Sequence, residues 1–167
     1  MRGRIGIGYD IHRLSAGRRL VLGGVVVPHP YGLEGHSDAD VLTHAIIDAL
    51  LGAAGLGDIG THFPDTDARW EGASSLELLG RVMEMCRGAS LAPVNVDATV
   101  VAESPRLAPH IAGMRARLAE ALGLPEGAVS IKAKTNEGLG SVGRGEAIAA
   151  YAVCLLETCT GQRKSRR

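Results

Sequence analysis

Near the amino terminus the chain reads GIGYDIHRL, from Gly6 to Leu14, and within this apolar run Asp10 and His12 stand two positions apart. Side chains of an extended strand alternate faces with a period of two, so the carboxylate and the imidazole project to the same side. The plain reading is a strand end at which two polar residues face water. The chemical reading is a metal site, which needs a third ligand, because catalytic zinc sites typically use three protein ligands and leave a fourth position open. His44 supplies one: it lies in the apolar-periodic segment VLTHAIIDALLGAAG, and the loop before that segment is short enough to return the chain over the first strand. Two histidines and a carboxylate are the donor set of a catalytic rather than a structural site. The competing reading of His44 is a histidine on an exposed helix face.

Further polar residues gather in GHSDAD (35–40), GDIG (57–60), FPDTD (63–67) and KTNEG (134–138). Such loops carry binding and catalytic groups on rigid scaffolds. Each also has a structural reading: Ser37 or Asp38 caps a helix, FPDTD forms an Asx-type turn, and Asn136-Glu137-Gly138 turns the chain after a strand. Asp40, His44 and Asp48 step by four along a polar seam, opposite Leu42, Ile46, Ala49, Leu50 and Ala53. Asp40 and Asp48 are read as supporting or structural groups, with Asp48 one helical turn from His44 as a partner for its second ring nitrogen.

The elements that must position these residues alternate in type. Residues 4–9 and 19–27 read as strands of an opening hairpin, with Gly23-Gly24 a turn or bulge inside the second. Helices follow at VLTHAIIDALLGAAG, at about residues 74–88, and at PHIAGMRARLAEALGL, the last stopping at Gly123 and Pro125. VNVDATVVAE and VSIKAKT read as strands; EAIAAYAVCLLET fits strand or helix by periodicity and is taken as strand. The expectation is one α/β domain over residues 1–160, then a basic tail, GQRKSRR (161–167), solvated and disordered.

Composition narrows the function classes. The 167 residues hold 18 Lys and Arg against 18 Asp and Glu, so no basic field gathers nucleic acid or anionic membrane, and an anionic substrate must be met locally. Three cysteines without a paired C-x-x-C argue against a disulfide framework and a cysteine-zinc site, and they fit a reducing cytoplasm. No leader, transit segment or membrane-spanning run is read from the sequence.

Taken in order, D-x-H, H-S-D-x-D with a helical histidine, G-D-I-G, F-P-D-T-D, Pro105 to His110, K-T-N-E-G-L-G and G-R-G-E resemble the 2-C-methyl-D-erythritol 2,4-cyclodiphosphate synthase family from Ile5 to about Glu157. The resemblance implies a single-domain α/β sandwich, a sheet packed with helices, assembled as a homotrimer around a sheet-lined core with active sites between subunits. It implies a phosphorus-oxygen lyase of the non-mevalonate isoprenoid route. The enzyme closes the 2-phosphate of 4-diphosphocytidyl-2-C-methyl-D-erythritol 2-phosphate onto the β-phosphorus and expels CMP.

By the same resemblance Asp10, His12 and His44 hold zinc, and Glu137 holds a second divalent ion, magnesium or manganese, on the diphosphate. His36 and Thr135 stabilise the transition state, with Ser37 beside them. Asp58, Ile59 and Gly60 bind the methylerythritol hydroxyls, and Phe63, Pro64, Asp65, Thr66 and Asp67 complete that wall. Ala102, Glu103, Ser104, Pro105, Arg106, Leu107 and Ala108 form the cytidine pocket, while Lys134, Thr135, Asn136 and Glu137 line the diphosphate. Arg144 and Glu146 match a charged pair near the threefold axis, where the trimer encloses a cavity able to hold an isoprenoid diphosphate. Two departures stand out: Ser141-Val142-Gly143-Arg144 replaces a common phenylalanine followed by T-G-R, and Lys134 replaces a common threonine. Two rivals remain open at this stage, a zinc hydrolase with His36 or Asp38 as general base, and a catalytically silent trimeric sensor of cytidine nucleotides or isoprenoid phosphates.

Overall fold

In the computed structural model, which describes residues 3–159, the first strand is longer than its apolar pattern suggests: β1 runs Gly3–Ala16. It pairs antiparallel with β7 (Ala147–Thr158) from Gly3↔Glu157 to Arg13↔Ala147, and then with β4 (Tyr31–Leu33). Asp10 and His12 therefore sit in the body of a paired strand rather than at its end. The expected opening hairpin is also redrawn. β2 (Leu20–Leu22) and β3 (Val25–Val27) form their own two-stranded sheet, and Gly23-Gly24 turns between them with φ of 56° and 71°. Both glycines adopt the left-handed region that such a tight turn requires.

The main sheet has the order β4-β1-β7-β5-β6, with β5 Leu91–Val101 and β6 Val129–Lys134. β5 and β6 run parallel, a crossover made through α4 (Ile111–Leu122), and the other neighbours are antiparallel. EAIAAYAVCLLET is a strand, as read, and it lies at the centre of the sheet between β1 and β5. Its inward residues Ala150, Ala152, Cys154 and Leu156 are buried while Tyr151 and Val153 face out, the alternation of a strand with one covered face.

Helix α1 (Val41–Ala54) is buried on nearly all sides; among its residues Asp48 and Gly52 escape full burial. The polar seam is thus not a solvent face. The helix packs between the sheet and α3 (Ser75–Gly88), and two glycines let it approach β1. A Cβ on Gly6 would lie 1.9 Å from the Ala49 carbonyl oxygen, and one on Gly8 would lie 1.9 Å from that of Ala45. Gly6, Gly8, Asp10 and His12 share one face of β1, so the contact that seats α1 also brings His44 over Asp10 and His12. Short helices α2 (Ile59–His62) and α5 (Gly140–Gly143) occur in loops where the sequence predicted none. The mixed sheet with its helix layer forms a single α/β domain. The tail at 161–167 lies outside the described residues.

Candidate active site

The chemistry converges on one carboxylate oxygen. Asp10 Oδ2 is 2.9 Å from His12 Nε2 and 3.0 Å from His44 Nδ1, and the two imidazole nitrogens are 3.2 Å apart. Burial disfavours a charged Asp10, yet hydrogen bonds from both imidazoles outweigh it and hold the carboxyl well below the usual range. Burial likewise opposes a charged His12, but the hydrogen bond and charge of Asp10 raise its pKa. His12 Nδ1 contacts the Glu34 carbonyl oxygen, which can only accept, so the proton of a neutral ring sits on Nδ1 and Nε2 turns its lone pair to the cluster. Gly35 allows this placement, since a Cβ there would crowd the His12 ring. Two ring nitrogens and a carboxylate oxygen on one point fit a divalent cation.

His44 is 7% exposed, not a surface histidine. Its second nitrogen does not face Asp48, which the sequence suggested as its partner: Asp48 instead accepts from the Ile59 N–H at 2.8 Å and ties α2 to α1. His44 Nε2 meets Ser75 Oγ at 2.8 Å and Ser37 Oγ at 3.2 Å. Asp40 is structural, as read. It caps α1 through Thr43 and accepts from the backbone N–H groups of Gly23 and Gly24, so one buried carboxylate joins the hairpin to the helix. Full burial pushes its pKa up against those hydrogen bonds.

Around the triad lies a cleft of about 420 Å³ lined by His36, Ser37, Ile59, Gly60, Phe63, Pro64 and Asp65 among others. Asp58 and Asp67 stand back from it as caps. Asp58 accepts from the Thr61 N–H and hydroxyl, and Asp67 pairs with Arg69. Thr66 also lies outside the lining. His36 Nε2 donates to the Asp67 carbonyl oxygen at 3.0 Å and anchors the 63–67 loop. Trp70, absent from the sequence reading, lines the cleft and meets Phe63 edge to face at 5.1 Å. As the chain's one tryptophan, set in a polar loop, it carried a usable signal.

A second cleft of about 250 Å³ brings together Ala102, Glu103, Pro105, Arg106, Leu107, Ala108, Lys134 and Thr135. The two predicted nucleotide segments meet because β5 and β6 pair in parallel and end side by side at Val101↔Lys134. Glu103 Oε1 accepts from the Asn136 N–H at 2.8 Å, which fixes the loop carrying Glu137. Thr135 Oγ1 donates to Glu137 Oε1 at 3.0 Å. Ser104 faces His29 at 3.2 Å outside this lining. Ser141 lies in a separate hollow with Tyr9, Ile11 and Tyr151, and Arg144 pairs with Glu146 at 2.8 Å nearby in sequence.

The register Ile11↔Ala149↔Val101↔Lys134 puts both clefts at one end of the sheet. Three strand spacings, about 14 Å, separate them. Among the described residues no lysine or arginine lines the triad cleft; the cationic side chains Arg106 and Lys134 line the second.

Comparison with known proteins places this geometry. The model of the YgbB family matches residues 3–157. The 2-C-methyl-D-erythritol 2,4-cyclodiphosphate synthase of Salinibacter ruber is 61% identical over 93% of this chain and 99% of its own. A solved synthase structure in its CDP-bound form superposes with a TM-score of 0.85 at 40% identity, covering 92% of this chain and 100% of that one. The bifunctional IspDF of Campylobacter jejuni gives a TM-score of 0.91 at 40% identity over 94% of this chain, which spans 42% of that longer protein. The chain belongs to the YgbB family. Its curated relatives carry the name 2-C-methyl-D-erythritol 2,4-cyclodiphosphate synthase.

Proposed function

We propose that the chain converts 4-diphosphocytidyl-2-C-methyl-D-erythritol 2-phosphate to 2-C-methyl-D-erythritol 2,4-cyclodiphosphate and CMP. The observation that carries this reading is the convergence of Asp10, His12 and His44 in the lining of a cleft, in a chain 61% identical to a curated synthase. An oxygen of the 2-phosphate bonds to the β-phosphorus, the bond from that phosphorus to the bridging oxygen breaks, and CMP leaves with the bridging oxygen. The nucleophile belongs to the substrate, so the protein has to position and neutralise rather than attack.

Asp10, His12 and His44 would hold zinc, and Glu137 would hold magnesium or manganese. Bound there, the cations supply Lewis-acid polarisation and charge neutralisation on the diphosphate. Ser37 offers a hydroxyl proton to phosphoryl oxygens, and Thr135 does so once Glu137, to which its hydroxyl donates here, turns to a cation. A neutral His36 spends its Nε2 proton on the Asp67 carbonyl, so donation to phosphate through Nδ1 needs the doubly protonated ring. Asp58 and the Ile59 and Gly60 backbone take the erythritol hydroxyls, with Phe63, Pro64 and Asp65 as the wall. Residues 102–108 hold cytosine, and Arg106 and Lys134 neutralise the nucleotide phosphates.

The site is completed in a homotrimer, one subunit giving the triad cleft and its neighbour the nucleotide cleft. Two observations support this assembly. The clefts are three strands apart, and the outer sheet face exposes Ile5 at 75%, Ile7 at 72%, Tyr9, Tyr151 and Val153. A contiguous apolar face of this kind marks an interface. An isoprenoid diphosphate would fit the enclosed cavity near Arg144. A cytoplasmic location is consistent with free Cys86, Cys154 and Cys159; among the described residues no helix is long and apolar enough to cross a membrane.

Phosphorus NMR of the protein incubated with zinc, magnesium and substrate tests the reaction. Equimolar CMP and cyclic diphosphate are expected, and both should vanish in His44→Ala. Unchanged bound substrate in the metal-loaded wild type would overturn the enzymatic reading in favour of a sensor.

A further inference from the structure

A chain of hydrogen bonds runs behind His44, on the side away from the cleft. Asp38 Oδ2 accepts from the Ser75 backbone N–H at 3.0 Å, at the N-terminus of α3. Asp38 Oδ1 accepts from the Asp40 N–H at 3.2 Å and from the Ser75 hydroxyl. Ser75, fully buried, then presents its Oγ to His44 Nε2 at 2.8 Å. A hydroxyl has one proton to give, and an ionised carboxylate has none. The Ser75 proton is therefore directed to Asp38, and its oxygen faces His44 as an acceptor. The proton between Ser75 and His44 belongs to Nε2, so a neutral ring has its lone pair on Nδ1, facing Asp10 and His12, and only a doubly protonated ring can donate to Asp10 as well. Ser37 Oγ lies farther from the same nitrogen, at 3.2 Å, and takes the Ala39 N–H, so its own proton stays available to the cleft.

We infer that Ser75, held by Asp38, is a positioning residue that fixes His44 as the Nε2–H tautomer and thereby makes Nδ1 the metal-binding atom. The inference rests on reading Asp10, His12 and His44 as a cation site. Carboxylate partners of metal-bound histidines commonly set ring orientation and basicity; here the carboxylate acts through an intervening hydroxyl. The arrangement also ties the cation site to the first turn of α3.

The test uses full-length wild type, Ser75→Ala, Ser75→Thr, Asp38→Asn and Ser37→Ala, each first shown to be folded by circular dichroism. Zinc affinity is measured by competition with a chromophoric chelator, and the His44 ring nitrogens by two-bond proton–nitrogen correlation. Ser75→Ala and Asp38→Asn should bind zinc roughly 10–100-fold more weakly. Both should lose the Nε2-protonated signature of His44, with His12 signals unchanged. Ser75→Thr, which restores a hydroxyl, should keep wild-type zinc affinity and ring protonation, and so should Ser37→Ala, whose loss falls on turnover instead. Ser75→Ala that binds zinc as tightly as wild type and keeps the Nε2–H ring would overturn the inference. Failure of the wild type itself to bind zinc would overturn the cation reading instead. The ring nitrogens of the metal-free protein then decide the relay: Nε2–H that is lost in Ser75→Ala upholds it, and a wild-type ring without a proton on Nε2 refutes it.

Discussion

At the scale of single residues, Asp10 and His12 stabilise each other in the metal-free protein through a hydrogen bond whose strength depends on pH. The depressed Asp10 contributes stability above its unfolded value of about 3.9, lost as pH falls through its lower folded value. The raised His12 contributes fully below its unfolded value of about 6.5, and that contribution is lost as pH rises through its folded value. Their joint window is about pH 4 to 6.5. Urea unfolding of metal-free wild type and Asp10→Asn should differ most there and converge at higher pH; a gap independent of pH would contradict the pairing. With cations present, His12→Ala should lose zinc and slow CMP release by roughly 100-fold or more, as read by metal analysis and a product assay. The triad was legible because period-two alternation put Asp10 and His12 on one face and the polar loops pointed to a site nearby. Ser75 was not, because its hydroxyl reaches His44 from a helix 31 residues further along. Spacing within one element cannot reveal such a partner.

At the scale of elements, the close seat of α1 on β1 sets the site. Gly8→Ala places a methyl group against the Ala45 carbonyl oxygen and the Ala49 nitrogen, so α1 must move outward and carry His44 with it. The expected cost is about 1–3 kcal/mol in chemical unfolding, accompanied by weaker zinc binding. Stability and zinc affinity both equal to wild type would show that the seat is not required. Asp40→Ala removes the α1 cap and strands the Gly23 and Gly24 N–H groups, for a loss of roughly 2–5 kcal/mol by the same measurement. The helices and most strands were legible from periodicity and from Gly and Pro stops. The pairing of β1 with β7 was not, because partners from the two ends of the chain leave no local trace and a neighbouring hairpin was the simpler expectation. The burial of α1 was missed for a related reason: Asp40, His44 and Asp48 look like a solvent seam until their partners on other elements are seen.

At the scale of the whole molecule, an exposed apolar sheet face and two separated clefts support the proposed homotrimer. Ile7→Lys puts charge on that face, and light scattering should find monomers that bind zinc yet release little CMP; a stable trimer of Ile7→Lys would contradict the proposed interface. Mixing His44→Ala with Glu137→Gln subunits, each inactive alone, should restore about a quarter of the sites if every site draws on two neighbouring chains. No recovery after verified subunit exchange would place both clefts' work within one chain. The separation of the clefts could not be read from motif order, which is linear, whereas the sheet order is not. In the proposed reaction the attacking oxygen comes from the substrate. Reaction in oxygen-18 water, followed by phosphorus NMR isotope shifts, separates this from attack by water: CMP and the cyclic diphosphate should both form without solvent oxygen. Solvent oxygen in a phosphate product would mean that water is the nucleophile and that the protein is a hydrolase.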